Sequence, residues 1–231
     1  MGQPIGIIYG YQTEGLFVDQ AEIDAAPEQL VGKSDLKPGY IRYKDISGPD
    51  GVPDGKISPE YDRVLLGGSL PRFQYGGTLN LGYKGFDFSV AIQGVGRRNT
   101  RLSSAMVQPL QANWGNTPAI IDGKYWSEKN TEAQNAEAIY PRLTYSNSSI
   151  NYAMSDFWLF NGRYFRLKNL TLGYTLPAEW TEKVMIKQTR IYVAANDLFC
   201  ISKYPKGWDP EMGSSAYPIT TSVLFLSLIH I

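Results

Sequence analysis

The sequence predicts an all-β chain of antiparallel strands, and three observations carry that expectation. Aromatic residues make up 13% of the 231 residues, including 16 Tyr and 5 Trp, a bias toward strands rather than helices. The 23 Gly and 14 Pro punctuate the chain with turns. Several segments alternate apolar and polar residues with the strand period of two.

A short candidate strand, Ile5–Tyr9, comes first. The clearest signal is Arg72–Gly96. Phe73, Tyr75, Leu79, Leu81 and Tyr83 fall on one face, Lys84-Gly85 turns, and Phe86, Phe88, Val90 and Ile92 again share one face. The opposite faces are small or polar: Gln74, Gly76, Thr78, Asn80 and Gly82, then Asp87, Ser89, Ala91 and Gln93. Two strands of about 11 residues joined by a two-residue turn predict a hairpin. Its apolar face fits the core of a soluble sandwich or a lipid-facing band, so alternation alone leaves both open.

Residues 97–156 are polar, rich in Asn, Ser, Gln and Pro, without a sustained period of 2 or 3.6. A structureless connection of about 60 residues is out of place in a compact soluble domain, where loops beyond about 12–15 residues are uncommon. Tyr164–Leu176 alternates again, with Leu170, Leu172 and Tyr174 against Asn169, Thr171 and Gly173. Arg166 and Lys168 share the apolar parity, and the expected accommodation is snorkelling above the apolar band. Pro177-Ala178-Glu179-Trp180 opens a shorter connection with a helical turn. Thr189–Ile201 is β-rich, but its faces, Ile191, Val193 and Ala195 against Tyr192, Ala194 and Asn196, do not orient it. A polar loop at 202–218 holds Trp208, Asp209, Pro210 and Glu211, and a last strand starts near Ile219.

Long and short connections alternate, as in an outer-membrane barrel with short inner turns and long external loops. Strand length agrees, because a tilted membrane strand needs about 9–11 residues. Five strands, or six with Ile5–Tyr9, fall below the roughly eight of the smallest bacterial barrels. An open edge in lipid would leave backbone groups unsatisfied. The membrane reading therefore predicts part of a larger barrel.

Scarce residues exclude other classes. Lys+Arg and Asp+Glu both count 22, so no basic field for nucleic acid exists. The single cysteine, Cys200, forms no internal disulfide and fits as a small strand residue. The one histidine, His230, leaves no Ser-His-Asp or Cys-His constellation. No enzyme is expected. No apolar run approaches the roughly 20 residues of a membrane helix, and MGQPIG lacks the pattern of a signal peptide.

The stretches GQPIG..YGY..EGLF..Q.EID, LKPGYIRYKDISGPDGVPDGKIS..YDRVLLG, LPRFQYGGTLNLGYKGFDFSV..QG and YFRLKNLTLGYTLP followed by RIYVAANDLF resemble the C-terminal segment of SusC/RagA-type TonB-dependent outer-membrane transporters. The resemblance runs nearly from Gly2 to Phe225. It implies the C-terminal strands, about five or six, of a large transmembrane antiparallel β-barrel with long extracellular loops, in a family whose barrels have about 22 strands. The expected division is 1–71 (a first strand end and an acidic external loop), 72–96 (the hairpin), 97–156 (a long external loop) and 157–231 (the last strands). The resemblance further implies the outer membrane of a Gram-negative, Bacteroidetes-like cell and import of oligosaccharides or peptides. It implies a SusD-like lipoprotein as lid, and a TonB complex engaged through an N-terminal region that, with the plug and signal peptide, lies outside these residues. The final LSLIHI departs from the family's aromatic-ended strand. A soluble all-β carbohydrate-binding module and an outer-membrane porin or adhesin without energy coupling are the alternatives.

Two groups of residues are candidate sites. Asp45, Ser47, Asp50, Asp54 and Asp62 lie in and after a Gly/Pro-rich loop that resembles an acidic calcium loop, since calcium takes about 6–8 oxygens from carboxylates spaced around glycines. The spacing fits that pattern imperfectly, and the same residues make a compact Asx-turn loop without metal. Trp114, Tyr125 and Trp126, beside Asn113 and Asn116, fit a glycan contact, flat rings stacking on sugar while amides bond hydroxyls. They equally fit aromatic anchors that hold a long loop.

Overall fold

The computed structural model describes residues 2, 4–32, 35–102, 108–110, 116–119, 121–145, 148–212, 217 and 219–230. In chain order the first elements are β1 (Ile7–Tyr11), β2 (Thr13–Leu16), α1 (Gln20–Ala25), β3 (Glu28–Gln29), β4 (Ile41–Tyr43), β5 (Lys56–Ile57) and β6 (Arg63–Gly68). The long strands β7 (Gln74–Tyr83) and β8 (Phe86–Val95) follow. Then come β9 (Asn99–Arg101), α2 (Glu132–Ala136), α3 (Ser148–Asn151) and β10 (Leu159–Asn161). The last elements are β11 (Tyr164–Thr175), α4 (Ala178–Thr181), β12 (Gln188–Ser202) and β13 (Ser222–His230). No helix among the described residues is long and apolar enough to cross a membrane.

The chain forms two compact units. One, built from residues 71–98, 161–212 and 217–231, is a five-stranded antiparallel sheet in the order β13-β12-β11-β8-β7. The other, built from residues 1–70 and 99–160, contains the connections that precede β7 and separate β8 from β11.

In the sheet, Lys84 and Gly85 both take positive φ, 48° and 87°, the geometry that a two-residue hairpin turn demands. Pairing registers align one apolar face: Leu79, Leu81 and Tyr83 on β7, Val90, Phe88 and Phe86 on β8, and Leu170, Leu172 and Tyr174 on β11. Ala195, Val193 and Ile191 on β12 continue it, followed by Val223, Phe225 and Ser227 on β13. This face is exposed to an extent that water would penalise: Leu81 is 56% accessible, Tyr83 71% and Phe225 80%. Phe73 and Tyr75 lie over Gly96 and Gly94, where a Cβ would come within 2.5 and 2.3 Å of their rings. At the opposite strand ends Phe86 and Tyr174 pack with ring centroids 4.4 Å apart. The two aromatic levels, from Tyr75 to Tyr83, are about 26 Å apart along the strand at about 3.3 Å per residue. At the roughly 35–45° tilt of barrel strands this rises about 20 Å along the membrane normal, most of the roughly 25 Å height of a membrane barrel's apolar band.

Parity along β11 does not run through unbroken. The register shifts between Leu167 and Asn169 against both β8 and β12. Arg166 pairs with Gln93, and Asn169 with Ala91, so the one residue between Leu167 and Asn169 is extra relative to β8. This bulge puts Arg166 on the face of Gln93, Asn169 and Thr171, opposite Leu170 and Leu172. The expected snorkelling of Arg166 and Lys168 from the apolar face is therefore corrected. The matching irregularity in β12, where Asp197 has φ 48°, sets the strand's two faces, which alternation alone had left unassigned.

The other unit has a core of its own. Phe17, Tyr40, Ile41, Tyr43 and Ile57 are buried, as are Leu102, Ile121, Ile150 and Trp158. Buried polar groups tie its distant segments together. Asn151 Oδ1 accepts from Ile41 N at 3.1 Å, and Trp158 Nε1 donates to the Asn151 carbonyl at 2.7 Å. The Tyr43 hydroxyl donates to the Ile150 carbonyl, and burial pushes its ionisation far up. The stretch 97–156, expected to be without structure, thus supplies Leu102, Ile121 and Ile150 to this core from scattered positions that no periodicity reports. Ile5–Tyr9 likewise differs from expectation. The strand is Ile7–Tyr11, and it pairs with β6 rather than with the long sheet.

Candidate functional site

The polar face of the sheet carries the densest charge cluster. Arg166, 2% accessible, donates from Nη2 to Asp209 Oδ2 at 2.6 Å. Its Nε lies 3.3 Å from Glu211 Oε2, and its Nη1 3.7 Å from Asp197 Oδ1. Lys168 Nζ donates to Asp197 Oδ1 at 3.1 Å and to Glu211 Oε2 at 3.3 Å. Arg98 Nη2 reaches the Pro210 carbonyl at 2.5 Å. Two cations of β11 thus hold three acids, two of them in the 203–221 connection, while Arg98 holds a backbone carbonyl of that connection. Asp209 Oδ1 also accepts from Glu211 N at 2.8 Å. Burial alone would raise the Asp209 carboxyl, but the hydrogen bond from Arg166 and the backbone N–H groups of Glu211 and Met212 outweigh it and hold it below the usual range.

Gln93 Nε2 donates to the Tyr164 hydroxyl at 3.2 Å beside this cluster. Gln93, Arg98, Tyr164 and Glu211 line a cavity of about 390 Å³ on the polar face. The sequence offered one signal for this site, two cations at an apolar parity, beside a polar loop that holds Asp209 and Glu211. The bulge that unites them has no signature in the alternation.

The acidic loop is organised by Asp62. Fully buried, it accepts from Ile46 N at 2.8 Å and Ser47 N at 3.2 Å through Oδ1, and from Ser58 N at 2.7 Å through Oδ2. Asp45 Oδ2 accepts from Gly55 N at 2.7 Å and Asp54 Oδ1 from Lys56 N at 3.0 Å. Asp50 is exposed. No three acidic, histidine or cysteine side chains among the described residues gather as a metal site would require. Asp45 Oδ1 is the only buried, unpartnered carboxylate oxygen among them. Backbone N–H groups thus bond both oxygens of Asp62 and one oxygen each of Asp45 and Asp54.

Of the aromatic candidates, Trp114 and its neighbour Asn113 lie outside the described residues. Trp126 is buried at 6% accessibility, with the Arg142 guanidinium 5.6 Å from its ring centroid. A Cβ on Gly39 would meet its ring at 2.4 Å. Tyr125 is half-buried, and its carbonyl accepts from Asn130 Nδ2 at 2.9 Å. Trp126 is thus packed as an anchor, not displayed as a platform. It still borders a cleft of about 600 Å³ with Leu16, Asp19, Asn130, Glu132 and Phe157.

No family model matches the chain. A TonB-dependent receptor of Formosa agariphila is 30% identical over 211 residues, covering 91% of this chain and 19% of that protein. The TonB-dependent receptor SusC of Bacteroides thetaiotaomicron is 29% identical over 154 residues, covering 64% of this chain and 14% of SusC. Among solved structures, the RagAB peptide transporter superposes with a TM-score of 0.58 at 21% identity, over 92% of this chain and 21% of that one. That likeness shows the fold. The chain spans about a fifth, or less, of the length of the curated relatives it matches. Two-faced strands of membrane length, aromatic levels at both ends, long connections on one side and these relatives agree, and the chain belongs to the SusC/RagA-type TonB-dependent receptors as a segment of their β-barrel.

Proposed function

We propose that the receptor containing this segment imports a bulky nutrient, an oligosaccharide or a peptide, across the outer membrane of a Gram-negative cell, driven through TonB and assisted by a SusD-like lipoprotein. One observation carries the proposal. A continuous exposed apolar face backs onto a polar face, across strands long enough to span a bilayer. A soluble carbohydrate-binding module would bury that apolar face in a core. In this reading the strands form barrel wall, and the 1–70 and 99–160 unit contributes external surface for solute and lid protein. Tyr125 and the cleft beside Trp126 are its candidate contacts, together with Trp114 from the same connection. Energy coupling is assigned to a plug and a TonB-interacting segment elsewhere in the receptor. Its relatives are receptors and transporters, which supports transport rather than catalysis.

The test is uptake by cells expressing the complete receptor, offered fluorescent oligosaccharides and peptides. Accumulation of one class that stops on loss of TonB and on removal of the lipoprotein supports the proposal. Accumulation indifferent to TonB overturns it in favour of a passive pore.

A further inference from the structure

The short connection at residues 176–187 is built inside out. Its helical turn α4 buries the polar Thr181, 4% accessible, whose hydroxyl donates to the Ala178 carbonyl at 3.3 Å. The same connection exposes its large apolar residues, Trp180 at 61% and Met185 at 86%. A turn facing water alone would show the reverse pattern. The connection is fixed at the end of the sheet where the aromatic level of Tyr83, Phe86 and Tyr174 lies. Leu176 N donates to the Thr189 carbonyl and Lys187 N to the His230 carbonyl, at 2.9 and 3.0 Å. Thr175 N donates to the Gly85 carbonyl of the neighbouring turn at 2.7 Å. Three lysines punctuate this rim. Lys84 stands 5.2 Å from the Tyr83 ring centroid, and Lys183 and Lys187 are exposed within the connection.

We propose that the 176–187 connection docks on the phospholipid headgroup layer at the short-turn side of the barrel, with Trp180 and Met185 inserted at the interface and Lys84, Lys183 and Lys187 meeting phosphates. Two arguments commit it to lipid. The exposed apolar residues lie in the connection that directly follows the strand end carrying the aromatic level of Phe86 and Tyr174, and indole and lysine are the side chains whose amphipathic shape suits that boundary. The connection then acts as a strut that fixes the depth of β11 and β12. The inference rests on the barrel reading, since a sheet outside a membrane has no such layer to meet.

The experiment uses the complete receptor with Cys200→Ser and any other cysteines replaced, reconstituted in vesicles of phosphatidylethanolamine and phosphatidylglycerol. Nitroxide labels are placed singly at Trp180→Cys, at Leu81→Cys on the apolar sheet face and at Lys129→Cys in the exposed connection. Accessibility is read to oxygen, which partitions into lipid, and to a water-soluble nickel complex. The expected oxygen-to-nickel ratio at position 180 is several-fold above that at 129 and below that at 81. A ratio at 180 equal to that at 129, with 81 remaining lipid-exposed, overturns the docking while leaving the barrel intact. Equal low ratios at all three overturn both. A Met185→Cys label read the same way repeats the test should Trp180→Cys not assemble.

Discussion

Asp87 on β8 and Arg190 on β12 pair across the intervening strand, through the space that Gly173 leaves on β11. Arg190 Nε donates to Asp87 Oδ1 at 2.8 Å and its Nη2 to Oδ2 at 2.5 Å. A Cβ on Gly173 would stand 2.4 Å from Asp87 Oδ1 and 2.8 Å from Arg190 Nε. The glycine is a gap in the polar face, and the ion pair that joins β8 to β12 occupies it.

Gly173→Ala is therefore expected to destabilise the barrel by about 1–3 kcal/mol, as overpacking does. Thermal unfolding of the complete receptor in lipid measures it. The same substitution in an Asp87→Ala background should cost markedly less, because the two closest contacts are with the carboxylate and Arg190 is then free to move aside. Equal cost in both backgrounds would place the strain elsewhere.

The Arg166 cluster predicts a loop held by charge. Removing a partner from a buried ion pair costs about 3–5 kcal/mol, so Arg166→Met should release the 203–212 connection, seen as faster hydrogen exchange and proteolysis there. Glu211→Gln should do so less, because Asp209 and Asp197 still face Arg166.

Acid should release the same connection within a defined window. Asp209 is held below its ordinary value near about 3.9, so its contribution is fully present above that value and is lost as pH falls through the lower folded value. Protection of the 203–212 connection, taken relative to the intrinsic exchange rate at each pH, should be unchanged between neutral pH and pH about 5 and should fall only below about pH 4. Release already at pH about 6 would contradict the assignment.

Asp62 should matter without calcium. Three backbone N–H groups point at its carboxylate, and each orphaned donor costs about 1–3 kcal/mol. Asp62→Ala is expected to open residues 45–58 to proteolysis in chelator-treated receptor, while chelator alone leaves the native loop protected. Protection of the native loop that requires added calcium would instead support the metal reading.

What the sequence exposed and what it hid follow one physical line. Leu79, Leu81, Phe88 and Val90 announce their strands because a regular ladder has a period of two, and each side chain's face follows from its position. The hairpin turn was equally open to reading at Lys84-Gly85. Arg166 was placed on the wrong face because one extra residue in β11 inverts every later parity, and a bulge leaves no trace in the residues themselves. The core around Trp158 and Asn151 was hidden for another reason. It is assembled from segments more than a hundred positions apart, such as Ile41 with Asn151, and long-range packing carries no local period. Trp126 shows the limit for sites: an aromatic in a polar stretch reads alike as platform or anchor, and only its burial under Gly39 and Arg142 separates the two.

One face of the β7–β8 hairpin meets lipid and the other a polar interior. Single cysteines placed along it in the complete receptor, in a Cys200→Ser background within intact outer membranes, test this with a water-soluble maleimide. Thr78→Cys, Asn80→Cys and Ser89→Cys should label, while Leu79→Cys, Leu81→Cys and Val90→Cys stay protected until the membrane is dissolved in denaturant. Labelling of Leu79→Cys and Leu81→Cys as fast as that of Asn80→Cys in the intact membrane would contradict the account.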